Sequence, residues 1–192
     1  AFQVALAQHR AEIDAIANQA DLPSFANTLA ALDASGRLLS RITLLFHNLT
    51  ASETHCELQA VQRDMAPLLA AHDSAIYLNT ALFARIEALQ TQRDTLALNA
   101  EQRRLLERVH LDFSRAGARL GEQERQRYGA LVSELAVLCT RFSQNVLAEE
   151  AAYTLELRTE ADRAGLPDFL LGAARAAAQQ RGLGDDAYAI TL

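Results

Sequence analysis

Apolar residues recur three and four positions apart along almost the whole chain. This spacing places the apolar side chains on one face of an α-helix. The longest run comprises Tyr128, Leu131, Leu135, Leu138, Phe142 and Val146. Alternation with a period of two, which is typical of strands, is almost absent before residue 186. The pattern therefore predicts an all-α fold, an array of antiparallel amphipathic helices joined by short connections.

Capping and turn residues mark the ends of these helices. Thr50 is followed by Glu53 and Asn99 by Gln102, which is the spacing of a capping box at a helix start. Pro67 lies inside an apolar run, so we expect that helix to kink or restart near residue 66. The predicted helices span residues 2–18, 24–49, 52–71, 80–97, 100–116, 122–151 and 168–181. The helix over 122–151 is the longest.

The last residues have a different pattern. Tyr188, Ile190 and Leu192 alternate as in a strand, and we see no second strand to pair with them. The chain also begins without Met, directly in an amphipathic helix. We therefore expect a helical domain over residues 1–184 and the truncated start of a following region over 185–192. On this interpretation the chain is a piece of a longer polypeptide.

Composition and charge exclude several classes of function. Half of the residues are hydrophobic and 22% are charged, which argues against disorder. The net charge of −6 gives no basic footprint for nucleic acid, and no stretch approaches the ~20 apolar residues of a membrane span. Arginines between residues 93 and 127 alternate with acidic residues. This indicates a solvated helix face with i,i+4 ion pairs rather than an anion-binding patch.

The histidines do not form a local zinc motif. A zinc peptidase needs two imidazoles one helical turn apart beside a carboxylate, as in H-E-x-x-H. The chain has five histidines, which are His9, His47, His55, His72 and His110. No two of them are four residues apart, and none is followed by Glu. We expect His9 and His72, which lie on apolar stripes, to make helix–helix contacts, and the other three to lie at the surface or at its boundary.

No other catalytic pattern is present in the sequence. Cys56 and Cys139 form no C-x-x-C, so we expect reduced, packed thiols and, by default, a cytoplasmic protein. Glu149 and Glu150 are expected to be helix-surface charges. The sequence thus offers no catalytic and no metal-binding residue, and spacing does not assign substrate-binding ones. By itself the chain should catalyse nothing.

Several segments resemble, in order, motifs of one enzyme family. Residues 23–39 resemble the opening P-x-F-x-N-T-L-x-x-L-x-x-S-G-x-x-L of the thimet-oligopeptidase-like zinc metallopeptidases, with Ser24 as a helix N-cap. Further segments that resemble the family are residues 69–86, 102–118, 142–147, 166–168 and 181–183. Their collinear order covers residues 10–192, and the segments at 23–39 and 69–86 are most similar to those of bacterial peptidyl-dipeptidases, also called dipeptidyl carboxypeptidases.

The resemblance implies the helical amino-terminal region of a two-lobed hydrolase with a deep substrate channel. In such enzymes this region walls the channel and restricts substrates to short peptides, while the Zn²⁺ ligands lie far downstream. We therefore expect zinc in the intact parent enzyme and none on this chain. The expected partners are short peptides and the missing catalytic lobe, with neither nucleic acid nor a membrane. An exposed apolar face where that lobe docks would also let the fragment self-associate.

Two alternatives remain open at this point. The chain could instead be a stand-alone helical interaction module without enzymatic activity, whose apolar stripes recruit a partner by helix-in-groove packing. The collinear motifs favour the peptidase region. Within that interpretation the parent could be a peptidyl-dipeptidase or an endo-acting oligopeptidase, since residues 126–129 suit both.

Overall fold

The computed structural model describes residues 1–184 and 186–191, and the chain divides into two compact units, Ala1–Thr140 and Arg141–Leu192. Both units are helical apart from a pair of two-residue strands. The all-α class predicted from the apolar spacing is therefore confirmed. The domain boundary after residue 184 stays a prediction.

The first unit consists of helices joined by short connections. Its elements are α1 (Phe2–Asn18), a π-helical turn (Phe25–Ala30), α2 (Ala31–Ala34), α3 (Arg37–Ser52), α4 (Cys56–Tyr77), α5 (Thr80–Thr91) and α6 (Ala100–Arg115). Helix α7 (Glu122–Ala152) begins in this unit and ends in the second. No helix within the described residues is long and apolar enough to cross a membrane.

The core of the first unit lies between α1, α5, α6 and the π-helical turn. Its large, deeply buried side chains are Ile13, Leu29, Leu82, Ile86, Leu89, Leu106 and Phe113. Burial of each side chain of this size contributes about 1.5–3 kcal/mol relative to exposure. Helix α1 also packs against α2, α3 and α4, so it is covered on more than one side.

The helix predicted over 24–49 is interrupted. Ser24 is the expected N-cap, since its hydroxyl accepts a hydrogen bond from the Asn27 amide. The helix then stops at Ser35 and Gly36, and Gly36 adopts a φ of +67°, a left-handed conformation that favours glycine. The prediction of a single helix was wrong because the left-handed conformation of Gly36 interrupts it, and α3 begins after this residue.

The end of α3 and both ends of α4 also differ from those predicted, which were residues 49, 52 and 71. The capping box at Thr50 is absent, because α3 continues to Ser52 and the Thr50 hydroxyl donates to the carbonyl of His47 at 3.1 Å. The next helix begins at Cys56 rather than at residue 52 and runs without a restart through Pro67 to Tyr77. Packing of α4 against α1 and α3 supports this continuous helix.

Helices α5, α6 and α7 begin at the predicted residues. Asn79 and Asn99 cap α5 and α6, accepting from the amides of Leu82 at 2.9 Å and Gln102 at 2.8 Å. Helix α5 ends at Thr91 instead of residue 97, because turns replace it from residue 92 onward. Helices α6 and α7 begin and end within one residue of the predicted positions.

The second unit contains β1 (Leu155–Glu156), α8 (Glu160–Arg163), α9 (Asp168–Gln180) and β2 (Ala189–Ile190). The two strands pair antiparallel, with Leu155 opposite Ile190. The expectation that the terminal strand has no partner was wrong, because β1 is too short to show alternation in the sequence. Leu192, the last residue of the predicted strand, lies outside the described residues.

Replacement of Gly36 by Ala should destabilise the chain by about 2 kcal/mol or more. A Cβ at this position would meet the His9 ring at 2.6 Å. The left-handed conformation alone costs an L-residue roughly 1–2 kcal/mol. Urea denaturation measures the free energy of unfolding.

Gly129→Ala is the matched control for this substitution. Gly129 lies within α7 and a Cβ there meets nothing within 4 Å, so alanine should stabilise by about 0.5–1 kcal/mol through helix propensity. Equal free energies of unfolding for the two variants would contradict the role assigned to Gly36.

Candidate functional site

Two histidines that are distant in sequence meet inside the first unit. His72 of α4 is 3% exposed, and its Nε2 lies 2.9 Å from Nδ1 of His9 on α1. The other ring nitrogen of His9, Nε2, lies 3.2 Å from the Ser35 hydroxyl. The predicted helix–helix contact of His9 and His72 is thus confirmed, and the partner of each ring is now identified.

The hydrogen bonds around His9 fix which nitrogen carries the proton. The Ser35 hydroxyl donates to the carbonyl of Leu32 at 2.7 Å, so it can only accept from His9. His9 in its neutral form therefore carries its proton on Nε2 and accepts on Nδ1 from His72. If His9 gains a proton, His72 must change tautomer to keep the contact. If both rings are charged, two donors face each other and the contact is lost.

The surroundings of this pair disfavour the charged rings. Burial lowers the pKa of both His9 and His72, and positive charge on His9 and then on Arg10 lowers that of His72 further. Glu12 and Asp73 act in the opposite direction on His9. The pKa of Glu12 is itself lowered, first by the Gly36 amide, which donates to its carboxylate at 2.7 Å. The pair is arranged as a neutral hydrogen-bonded link between α1 and α4.

Six further residues singled out in the sequence are exposed, which agrees with the predictions for four of them and not for the two cysteines. His47, His55, Glu149 and Glu150 are exposed, as predicted. Cys56 and Cys139 are unpaired but also exposed, so the prediction of packed thiols was wrong. Both lie on the solvent-facing side of a helix, which apolar spacing alone did not distinguish from the packed side.

His110 takes part in a small charged cluster at the boundary of the surface. Its Nε2 lies 2.8 Å from the Glu87 carboxylate, and the guanidinium of Arg119 approaches the same carboxylate at 3.1 Å. Both contacts lower the pKa of Glu87, and the contact with His110 has the larger effect. The cluster joins α5 to α6 and to the turn that follows α6. The predicted i,i+4 pairing is also present on α6, where Arg108 binds Asp112 at 3.0 Å.

The structure brings none of these side chains into a metal site. Within residues 1–184 and 186–191, no group of three or more His, Cys, Asp or Glu side chains could hold a metal ion. The absence of catalytic and metal-binding residues stays a prediction.

Arg85 is a buried charged residue that sequence reasoning did not single out. It is 7% exposed, and its guanidinium donates to the carbonyls of Gln19 at 3.3 Å and Asp21 at 3.0 Å and to the Asn27 side chain at 2.9 Å. These bonds attach α5 to the connection between α1 and the π-helical turn. The only signal in the sequence was its position three residues after Leu82, on the buried face of α5.

A cavity of about 290 Å³ opens between α2, α4 and α6. Its apolar lining consists of Leu32, Ile76, Tyr77, Val109 and Phe113, and its acidic side chains are Asp73 and Asp112. We call it the Asp73 cavity. Asp73 and Tyr77 also line a second cavity of about 310 Å³ on the side of α4 that faces Tyr128.

Helix α7 presents apolar side chains to solvent. None of its residues is buried, and Leu131, Leu135 and Leu138 are 53%, 58% and 51% exposed. These residues are three or four positions apart and share one face of the helix. Exposed apolar surface of this kind is typical of a contact surface with another protein or another part of the same protein.

Searches for similar proteins find bacterial peptidases. The chain is 42% identical over 183 residues to a dipeptidyl carboxypeptidase of Salmonella typhimurium and 38% identical over 192 residues to one of Escherichia coli. It is also 27% identical over 188 residues to oligopeptidase A of Salmonella typhimurium. The chain is homologous to the thimet oligopeptidase family. The resemblance inferred from the motifs is therefore confirmed.

The match covers nearly all of this chain but only part of each relative. It covers 95–100% of the chain but 27–28% of the two dipeptidyl carboxypeptidases and 27% of oligopeptidase A. The chain thus spans little more than a quarter of the length of these relatives. No protein-family profile matches it.

The buried histidine pair should make stability depend on pH below neutrality. The pKa of both rings is lowered in the native state, whereas in the unfolded chain a histidine titrates near 6.5. The unfolded state therefore binds more protons below about pH 6.5, and the free energy of unfolding should fall as the pH falls from about 7 to about 5. Urea denaturation at several pH values measures this slope.

Two variants separate the pair from other titrating groups. His72→Leu should flatten the slope, and at pH 7 it should cost about 1–3 kcal/mol because His9 Nδ1 loses its donor. His47→Gln, at an exposed position on α3, should keep the wild-type slope. A His72→Leu slope as steep as that of the wild type would contradict the assignment.

Arg85→Met should destabilise the chain by about 2–4 kcal/mol, because it leaves two backbone carbonyls and the Asn27 side chain without their donor. Arg104→Met is the control, since Arg104 is exposed and its ion pair with Glu107 at 3.4 Å should contribute no more than about 0.5 kcal/mol. Guanidinium denaturation compares the two variants. Similar losses in the free energy of unfolding for both variants would show that the buried hydrogen bonds of Arg85 contribute no more than an exposed ion pair.

Proposed function

We propose that this chain is the non-catalytic, helical amino-terminal region of a zinc-dependent peptidase and forms part of its substrate-channel wall. The observation that carries the proposal is the 42% identity to a dipeptidyl carboxypeptidase over 95% of this chain. Because the chain spans about a quarter of that relative, the rest of the activity would reside in sequence outside these 192 residues.

The proposal assigns the chemistry to the remainder of the parent enzyme. The resemblance places the zinc ligands and the H-E-x-x-H glutamate far downstream, and the five histidines of this chain provide no such motif. Zinc would polarise the scissile carbonyl of a short peptide, while this helical region would limit access to it. Residues 1–184 would form this region, and residues 185–192 would begin the catalytic one.

The higher identity to the dipeptidyl carboxypeptidases than to oligopeptidase A favours peptidyl-dipeptidase activity for the parent. Cytoplasmic location is part of the proposal, because Cys56 and Cys139 are both unpaired, as is usual in a reducing compartment.

Leu131, Leu135 and Leu138 of α7 are the proposed contact with the missing catalytic lobe. Their side chains are each more than half exposed in this chain, and covering them would remove apolar area from water. The same face would let the isolated fragment self-associate at high concentration, which sedimentation measures.

A chimeric enzyme tests the proposal. The stretch of the Salmonella typhimurium dipeptidyl carboxypeptidase that aligns with this chain is replaced by residues 1–192, and the release of dipeptides from short peptides is measured. The chimera should be active and contain one zinc, whereas the 192-residue chain alone should neither cleave peptides nor hold stoichiometric zinc. An inactive chimera that folds and binds zinc would overturn the proposal and favour a separate interaction module.

Substitutions on α7 test the proposed contact within the chimera. Leu135→Asp should lower the activity at least about tenfold, because a carboxylate would be buried without a partner. Leu22→Asp is the control, since Leu22 is 87% exposed in a connection far from α7 in sequence, and it should leave the activity within about twofold. Equal activities of the two variants would contradict the contact.

A further inference from the structure

The Asp73 cavity has a rigid apolar floor. Leu32, Ile76 and Val109 are half-buried and pack against the hydrophobic core, and Phe113 is 3% exposed within that core. The Tyr77 and Phe113 rings contact each other edge to face, with centroids 5.0 Å apart. A cavity whose walls belong to the core exists before any ligand binds, so no ordering of loops would oppose binding.

Of the two acidic side chains at this cavity, one has a partner among the described residues and the other does not. Asp112 has a partner, the Arg108 guanidinium at 3.0 Å. Asp73 is exposed to solvent on one side and makes no hydrogen bond and no ion pair within the residues that the structure describes. On its other side the surrounding protein desolvates the carboxyl group and raises the pKa of Asp73. A partly desolvated carboxylate of this kind is stabilised by a cation.

The chemistry of the lining selects the type of cation. A metal ion such as Ca²⁺ or Mg²⁺ needs about six oxygen ligands, and only two carboxylates face the cavity, one of them already bound to Arg108. Five of the seven lining residues are apolar or aromatic, and aromatic faces attract organic cations. At about 30 Å³ per water-sized group, 290 Å³ accommodates roughly ten non-hydrogen atoms.

We propose that the Asp73 cavity binds an ammonium group attached to a small apolar body, with the Asp73 carboxylate accepting its hydrogen bonds and the Tyr77 and Phe113 rings contacting the apolar part. The ammonium group can belong to a free amine or to the amino end of a peptide that begins with an apolar residue. This site lies wholly within the first unit and does not depend on the proposed function.

Titration calorimetry at pH 7 with the full 192-residue chain tests the site. The probe is 2-phenylethylamine, and the matched uncharged probe is 2-phenylethanol, which has the same size and shape. The amine should bind saturably with a Kd in the range of about 0.1–10 mM, and the alcohol should bind at least about tenfold more weakly. Equal binding of the two probes, or no saturable binding of the amine, would overturn the proposal.

Substitutions locate the binding of the amine. Asp73→Asn should weaken it at least about tenfold, because it removes the charge but not the shape of the side chain. Asp64→Asn removes the same charge from the same helix, about two and a half turns away, and should change the Kd less than about twofold. Equal Kd values for Asp73→Asn and the wild type would overturn the assignment.

A second variant tests whether Asp73→Asn weakens binding only by changing the fold. Val109→Phe adds a ring to the wall of the cavity and should abolish binding of the amine while Asp73 remains in place. Undiminished amine binding by this variant would place the amine elsewhere and overturn the proposal.

Two peptides distinguish the sources of the ammonium group. Phe-Gly-Gly carries a free amino end, and its N-acetylated form does not. Binding of the free peptide and not of the acetylated one identifies the amino end of a peptide as an occupant. Binding of 2-phenylethylamine alone restricts the site to small free amines. Either result supports an ammonium site, whereas equal binding of both peptides would contradict it.

Discussion

The first unit depends on the burial of α1 on more than one side. Its apolar residues Ile13 and Ile16 enter the core with α5 and α6, while α3 and α4 pack on its other surfaces. A helix covered in this way must satisfy every polar side chain that it carries inward, because an unpaired buried polar group costs about 1–3 kcal/mol. His9 and Glu12 meet this requirement through Ser35, Gly36 and His72.

These polar contacts also explain why the chain turns where it does. Gly36 offers its amide to Glu12 and leaves room for the His9 ring, so the direction of α3 and the position of α1 are set by the same contacts. Arg85 has a comparable role for the connection that follows α1, where it holds backbone carbonyls that no helix satisfies. The buried cationic and imidazole groups of this unit thus connect elements to one another.

The sequence predicted what depends on neighbouring residues. Helices α6, α7 and α9 were placed within one residue at each end, because their apolar periodicity and caps are local. It did not predict the break at Gly36, because Ser35 and Gly36 also fit within a helix until the His9 ring is placed beside them. The pairing of β2 with β1 was missed because β1 is too short to show alternation and lies far from β2 in the sequence.

In the candidate sites, too, the sequence predicted local features and not contacts between distant residues. Spacing placed His9 and His72 at helix contacts but could not show that they contact each other, because α1 and α4 lie more than 60 residues apart in the sequence at this point. Arg85 and the Asp73 cavity were not foreseen, since a single charge within a helix has the same pattern whether it faces solvent or a cavity. The family was recognised from motifs, which record ancestry rather than contacts.

The short ladder between β1 and β2 is not self-sufficient, because its strands are two residues long. It closes a loop of about 30 residues, and closing such a loop costs about 3 kcal/mol of chain entropy in addition to a constant term. The few hydrogen bonds of two-residue strands contribute about 0.5–1.5 kcal/mol each, which does not exceed this loss and its constant term. Helix α9 packs on β2, and the buried Ala189 of β2 accompanies Ala174 and Ala178 of the helix. The ladder therefore depends on the packing of β2 against α9 for its stability.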